Sequence, residues 1–463
     1  MVITHKSGRN LEKQYTYCSP KRVQTVTLGC SKNRVDSEHL MIKLEDAGIE
    51  IVAEGNDLSN GNVDAVIINT CGFIKDAKVE SIEAIMAAVD AKNRGYIKYL
   101  FVFGCLSQRY MDELVAEIPE VDGFFGAFDV APMLEVMGVP YKQELDEQRY
   151  ITTPKHYAYL KISEGCDRTC SYCAIPMIRG KHISVPMEKL VKEAEHLASK
   201  GVKELIVIAQ DTTYYGLDLY GRRALAELLE KLCAVEGIEW IRIHYSYPAQ
   251  FPQDVLDVMA TNPKICKYLD IPLQHASSKV LSLMRRSIDG PQTQKIIDDI
   301  RAKVPGVVLR TTMIVGHPGE DRREFDKLLS FVKKNKIERL GAFTYSEEEG
   351  TYGAEKLDDT VRESTKQKRY EELMEIQSEI SLSYNESRIG SVEKVIVDSY
   401  SDGVFVARSQ QESPEVDGEI LIGKESLQIF GKSDFDPNSL IGTFVSVKIV
   451  GANEYDLIAE FIR

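Results

Sequence analysis

Between residues 157 and 345 the chain alternates six times between short β-rich apolar runs and helical patterns, a rhythm that few folds accept. The expected strands are 158–163, 205–209, 240–245, 268–272, 307–315 and 339–345. Helical patterns follow over 187–200, 224–235, 252–261, 277–285, 292–304 and 320–335. Helical crossovers between successive strands demand parallel strands covered by helices. The expectation is an α/β fold with a partial parallel barrel of six βα units. Chemistry in such barrels sits at the C-terminal ends of the strands.

Four polar stretches would share that rim. They are Cys166-Asp167-Arg168-Thr169-Cys170-Ser171-Tyr172-Cys173, Gln210-Asp211-Thr212-Thr213, Gln274-His275 and Gly316-His317-Pro318-Gly319-Glu320. The first supplies three thiolates within eight residues and no obvious fourth. A structural zinc wants four protein ligands in a closed tetrahedron. A 4Fe–4S cube can be held by three, with one iron left open. Spacing alone therefore points to a reactive cluster. A zinc site completed by His156 or His182 stays open.

Upstream, Cys30, Cys71 and Cys105 each follow a short apolar run that reads as a buried parallel strand, with helical patterns over 36–47 and 75–92 between them. Ligands in such sheets collect at the carboxyl ends of the strands. Three cysteines in that same position predict a second metal site with three protein ligands. Cys18, Cys233 and Cys266 show no such pattern and read as packing or chance.

Downstream, an amphipathic helix is expected over about 361–388, with Tyr370, Leu373, Ile376, Gln377, Ile380 and Tyr384 near helical spacing and Gly390 ending it. From Ser391 onward, short alternating runs broken by glycines predict a small all-β barrel. That segment holds thirteen acidic and six basic residues, and Glu412, Glu415, Asp417 and Glu419 cluster in one loop. Such a surface repels phosphates and attracts a basic protein, so no strong nucleic-acid binding is expected.

The 463 residues carry a net charge of −14, which also argues against a chain built mainly to hold nucleic acid. No apolar stretch approaches the roughly 20 residues needed to cross a bilayer. The polar N-terminus has no apolar signal core. A cytoplasmic protein is expected, where thiols stay reduced and nine cysteines are metal ligands plus bystanders. The expected organisation is a loose extension over 1–22, a parallel α/β domain over 23–150, the barrel over 151–358, a connecting helix over 359–390 and the small barrel over 391–463.

The Cys-x-x-x-Cys-x-x-Cys loop followed by a partial barrel resembles the radical S-adenosylmethionine superfamily. The Cys30/Cys71/Cys105 domain before it and the small barrel after it narrow the resemblance to the methylthiotransferases, which end in a TRAM domain. No departure occurs at the six expected cysteine positions. Leu28-Gly29-Cys30-Ser31-Lys32-Asn33, Asp211-Thr212-Thr213-Tyr214-Tyr215-Gly216, His244-Tyr245-Ser246-Tyr247-Pro248 and Pro272-Leu273-Gln274-His275-Ala276-Ser277 are similar to the RimO-like branch. The branch that acts on tRNA typically has Gln-Ser-Gly-Ser where this chain has Gln274-His275-Ala276-Ser277.

The resemblance implies transfer of a methylthio group to the β-carbon of an aspartate in ribosomal protein S-twelve. It implies two 4Fe–4S clusters, with Cys166, Cys170 and Cys173 holding the one that binds S-adenosylmethionine. Cys30, Cys71 and Cys105 would hold the one that carries sulfur. An electron donor of flavodoxin or ferredoxin type would feed them. Three residues are candidate S-adenosylmethionine contacts, each with a plainer reading beside it. Tyr172 meets the adenine or merely packs, Gln210 meets the amino-acid end or caps a strand, and Gly316 admits the adenosine or serves a turn. No catalytic residue is assigned beyond the cluster ligands, and His275 reads as structural or substrate-positioning. The alternatives are a tRNA adenosine methylthiotransferase and a non-enzymatic Fe–S or zinc protein.

Overall fold

The computed structural model describes residues 15–430 and 436–462. The chain divides into two compact units, Met1–Tyr150 with Met177–Arg179, and Ile151–Pro176 with Gly180–Arg463.

The first unit is built on a parallel sheet of five strands, β1 (Arg22–Thr27), β2 (Glu50–Val52), β3 (Ala65–Thr70), β4 (Tyr99–Gly104) and β5 (Gly123–Phe124), in the order β2-β1-β3-β4-β5. The central β3 is buried at all six positions, as a parallel strand covered on both faces must be. The two edge strands are only three and two residues long, too short to show a period in the sequence. Helices Ser31–Asp46 and Lys75–Asn93 make the crossovers. Thr27 pairs with Asn69, and Thr70 with Gly104. That register brings the three central strands to an end at one level, and Cys30, Cys71 and Cys105 follow there.

Residues 1–14 lie outside the described residues, but Tyr15 to Arg22 are not a loose extension. The N–H groups of Thr16 and Cys18 donate to Asp122 and Val136 carbonyls at 3.0 and 2.9 Å. Tyr15 stacks on Phe125 at 5.0 Å, and Arg22 already belongs to β1. Backbone pairing and one aromatic contact tie the segment down.

The second unit contains six parallel strands, β6 (Tyr157–Lys161), β9 (Glu204–Ile208), β10 (Trp240–Ile243), β11 (Ile265–Asp270), β12 (Val308–Val315) and β13 (Arg339–Thr344). Each lies beside its sequence neighbour, with β6 and β13 at the edges of one open sheet. A two-stranded ribbon, β7 (Ser163–Glu164) and β8 (Ile183–Ser184), flanks the cysteine loop. Outward-facing Leu160, Leu205, Val207, Ile241, Ile243 and Leu309 pack under the helices as one core. Cys266 is buried inside β11, which starts three residues earlier than expected.

Helix Glu363–Ser387 buries Leu373 in that core, with Tyr370, Met374, Ile376 and Ile380 partly buried beside it. A closed barrel follows, made of β14 (Val392–Ser401), β15 (Val404–Arg408), β16 (Ile420–Gly423), β17 (Phe444–Ala452) and β18 (Leu457–Phe461). Among the described residues no helix is long and apolar enough to cross a membrane.

In the loop between β15 and β16, two of the four carboxylates expected to attract a basic partner are spent on internal pairs instead. Glu412 is 1% exposed and sits between Arg339, at 3.1 Å, and Arg388. Asp417 accepts from Tyr268 at 2.6 Å and faces Arg310 at 3.6 Å. Glu415 accepts from Tyr159 at 2.8 Å and Tyr157 at 3.2 Å. Glu204, at the start of β9, pairs with Arg242 at 2.9 Å and with Arg408 at 2.8 Å. The loop's carboxylates therefore satisfy arginines and tyrosines of the six-stranded sheet. Buried charges persist only when paired and hydrogen-bonded; Glu412 and Asp417, with side chains 2% and 3% exposed, are consumed this way, whereas Glu415 and Glu419 stay exposed.

Candidate metal centres

In the first unit, Cys30 is exposed at the start of a helix, while Cys71 and Cys105 are buried. Gly29 lets them meet. Its φ is +88°, and a Cβ there would lie 2.7 Å from Cys71 Cβ, so only glycine fits. Burial pushes the Cys71 thiol up to about 11 and raises Cys105 as well, and each is also raised by Cys30. The three thiols are thus one mutually interacting group.

In the second unit, Cys166, Cys170 and Cys173 occupy the loop after β7. Cys166 N–H donates to Gly180 O at 3.1 Å, and Ser171 N–H to Met284 O at 3.0 Å. Arg168 N–H donates to Cys166 Sγ at 3.4 Å, the kind of bond a ligating thiolate receives. Burial raises Cys166 to about 12 and raises Cys173 too, with the loop's other cysteines contributing.

A metal bound there would deprotonate its cysteine ligands outright in spite of those raised values. His156 Nε2 lies 2.7 Å from Asp398, and His182 Nε2 lies 3.1 Å from Ser184, so both rings already face partners other than the cysteines.

The rim around the second triplet is rich in polar atoms without partners. Gln210 Nε2 donates to Glu164 at 2.8 Å, but its buried Oε1 has no partner. Ser163 Oγ, Arg168 Nη2, Gln274 Oε1 and Arg286 Nε are likewise buried and unsatisfied. Buried polar atoms are ordinarily hydrogen-bonded, so this set fits a polar ligand such as S-adenosylmethionine. Tyr245 and Gln274 adopt φ of +57° and +73°, strain of the kind found at functional sites.

Of the three candidate contacts, Gln210 faces this rim. The hydroxyl of Tyr172 accepts from Arg286 at 3.4 Å. Gly316 (φ +77°) is covered by Lys366, whose Cγ would lie 2.3 Å from a Cβ. Its close approach is to a lysine stem. His275 is fully buried between Glu320, at 3.2 Å, and the Ser277 N–H, at 2.9 Å. Sequence reasoning missed Arg168 and Arg286, whose guanidiniums lie 3.9 and 4.0 Å from the centroid of the Tyr247 ring. No period marks them; only Arg168, inside the cysteine loop, carried a positional signal.

His317 makes a pH prediction. Burial lowers its pKa from 6.5 to about 4. The ring lies 3.2 Å from Ser171 Oγ. Between those values the unfolded chain binds a proton that the folded chain refuses. Stability therefore falls as pH drops from 6.5 toward 4, by about 3 kcal/mol in full. Urea unfolding of wild type should show that slope, and His317→Gln should flatten it. Equal slopes would reject the assignment.

The six-stranded open parallel sheet with three cysteines on the loop after its first strand lies in a region that matches the radical S-adenosylmethionine enzymes. Residues 160–332 match the Radical SAM superfamily, residues 22–126 the family described as Uncharacterized protein family UPF0004, and residues 389–462 the TRAM domain. The fold is similar to that of the radical S-adenosylmethionine methyltransferase TsrM from Kitasatospora setae. The TM-score is 0.53 at 12% identity, over 70% of this chain and 72% of that one. "Ribosomal protein uS12 methylthiotransferase RimO" of Cytophaga hutchinsonii is 51% identical over 96% of this chain and 98% of that protein. The proteins of the same name from Bacteroides thetaiotaomicron and Flavobacterium johnsoniae are 48% and 50% identical over 96% and 95% of this chain, and 99% and 98% of their own lengths. The chain belongs to the RimO methylthiotransferase family. A 4Fe–4S cluster and S-adenosylmethionine come with that membership.

Proposed function

We propose that this enzyme places a methylthio group on the β-carbon of an aspartate in ribosomal protein uS12, with two iron–sulfur clusters. The observation that carries the proposal is the pair of three-cysteine groups, one in each unit and each short of a fourth thiolate. The identity with uS12-modifying relatives supports the substrate. The β-carbon of an aspartate has no acidic proton and no leaving group, so side-chain acid–base chemistry alone cannot functionalise it. When bound, the cofactors supply the radical and the methylthio group.

The chain's own part is to hold and aim. Cys166, Cys170 and Cys173 would hold the radical-generating cluster, with the Arg168 N–H supporting Cys166. Gln210, Arg168 and Gln274 offer the unsatisfied atoms that would orient S-adenosylmethionine, and Tyr172 is held by Arg286, whose Nε is also unsatisfied. Cys30, Cys71 and Cys105 would hold the second cluster. A flavodoxin- or ferredoxin-type protein would deliver electrons.

Mass spectrometry of uS12 and of bulk tRNA from a deletion strain tests the substrate. The expected result is a uS12 aspartate lighter by one methylthio group and unaltered tRNA. Loss of a tRNA modification with intact uS12 would assign the enzyme to RNA instead.

A further inference from the structure

Arg179 ends the short helix Ile175–Arg179, and Met177–Arg179 is the one stretch beyond Tyr150 that belongs to the first unit. Its side chain is 2% exposed. Each guanidinium nitrogen has its own partner. Nε donates to Cys105 Sγ at 3.3 Å, Nη2 to Asn33 Oδ1 at 2.7 Å, and Nη1 to Asp36 Oδ2 at 2.8 Å. Asn33 Nδ2 in turn donates to the Leu28 and Thr70 carbonyls at 2.9 and 3.2 Å. Those carbonyls lie next to the turns that carry Cys30 and Cys71. The guanidinium is thus tied to all three strand ends.

A structural strut would need the Asp36 ion pair and nothing more. It would not need Nε on a sulfur. A planar fork holds three acceptors at fixed angles, which an ammonium group cannot do. Hydrogen bonds and positive charge at a ligating sulfur stabilise the more negative, reduced form of an iron–sulfur group and so raise its potential.

We propose that Arg179 is a positioning residue for the Cys30/Cys71/Cys105 site, holding the Cys105 sulfur and raising the reduction potential of the cluster bound there. The proposal rests on the reading of those cysteines as cluster ligands.

The test uses the full-length protein with Cys166, Cys170 and Cys173 all replaced by alanine, so that one cluster remains. Iron content and midpoint potential, followed by electron paramagnetic resonance, are the readouts. In that background R179Q and R179K are both expected to keep iron and to lower the potential. D36N removes a negative charge and keeps the Nε bond, so it should not lower it. R179K retains the cation and carries the test if R179Q fails to fold. An unchanged potential in an iron-loaded Arg179 variant overturns the proposal. So does an equal drop in D36N, which would make Arg179 an ion-pair strut. A parent protein without iron overturns the cluster reading, and the proposal with it.

Discussion

Replacing Cys71 with alanine is expected to stop methylthio transfer while S-adenosylmethionine cleavage continues. Cys71 is a buried member of the first unit's triplet, 8% exposed, and its thiol interacts with Cys30 and Cys105. The barrel triplet lies in the second unit with its own rim of unsatisfied polar atoms. Losing even an outer-shell partner of a metal site costs 10–100-fold. Loss of a direct ligand should therefore cost product formation more than about 100-fold. Parallel assays of 5′-deoxyadenosine and of modified uS12 peptide check this. Abolished cleavage, with the barrel cluster still loaded, would show that the two triplets do not have separate roles.

The second large effect concerns stability. Glu412→Gln should destabilise the second unit by roughly 3–5 kcal/mol, the cost of breaking a buried charge group by removing one partner. Glu412 is held between Arg339 and Arg388, which are 7% and 6% exposed at their side chains, and it also accepts the Ser409 hydroxyl at 2.7 Å. The two guanidiniums would be left facing a neutral amide. Although burial alone would raise the Glu412 carboxyl, Arg388 is the largest opposing influence, and the outcome is a pKa lowered from 4.5 to about 2. Its contribution is therefore complete above pH 4.5 and is lost as pH falls through about 2. Wild type and Glu412→Gln should differ at pH 7 and converge in strong acid. Urea unfolding at both pH values measures this, and a difference below about 1 kcal/mol at pH 7 would refute it.

The two halves of this protein differ in how openly the sequence shows them. The six βα units were legible because each strand and helix writes its own period into neighbouring residues. Inward residues such as Arg242 and Tyr268 interrupt the apolar runs, yet the strands still read correctly. Strands β2 and β5 were not legible, because two or three residues carry no period. The cysteines of the second triplet announced themselves by spacing. Those of the first did so because each follows a strand, and the sheet register then groups the strand ends.

By itself the sequence determined the parallel α/β units, the closed β segment and the six thiols. All of these depend on contacts short in sequence or on repeated local patterns. Only the tertiary structure decided where the charges go. Glu204 meets Arg408 across 204 residues, Arg339 meets Glu412 across 73, and Arg179 meets Cys105 across 74. Glu412 and Asp417, which read as surface charges in sequence, became internal clamps. Burial makes pairing obligatory for a charge, but no local period says which partner the fold will bring.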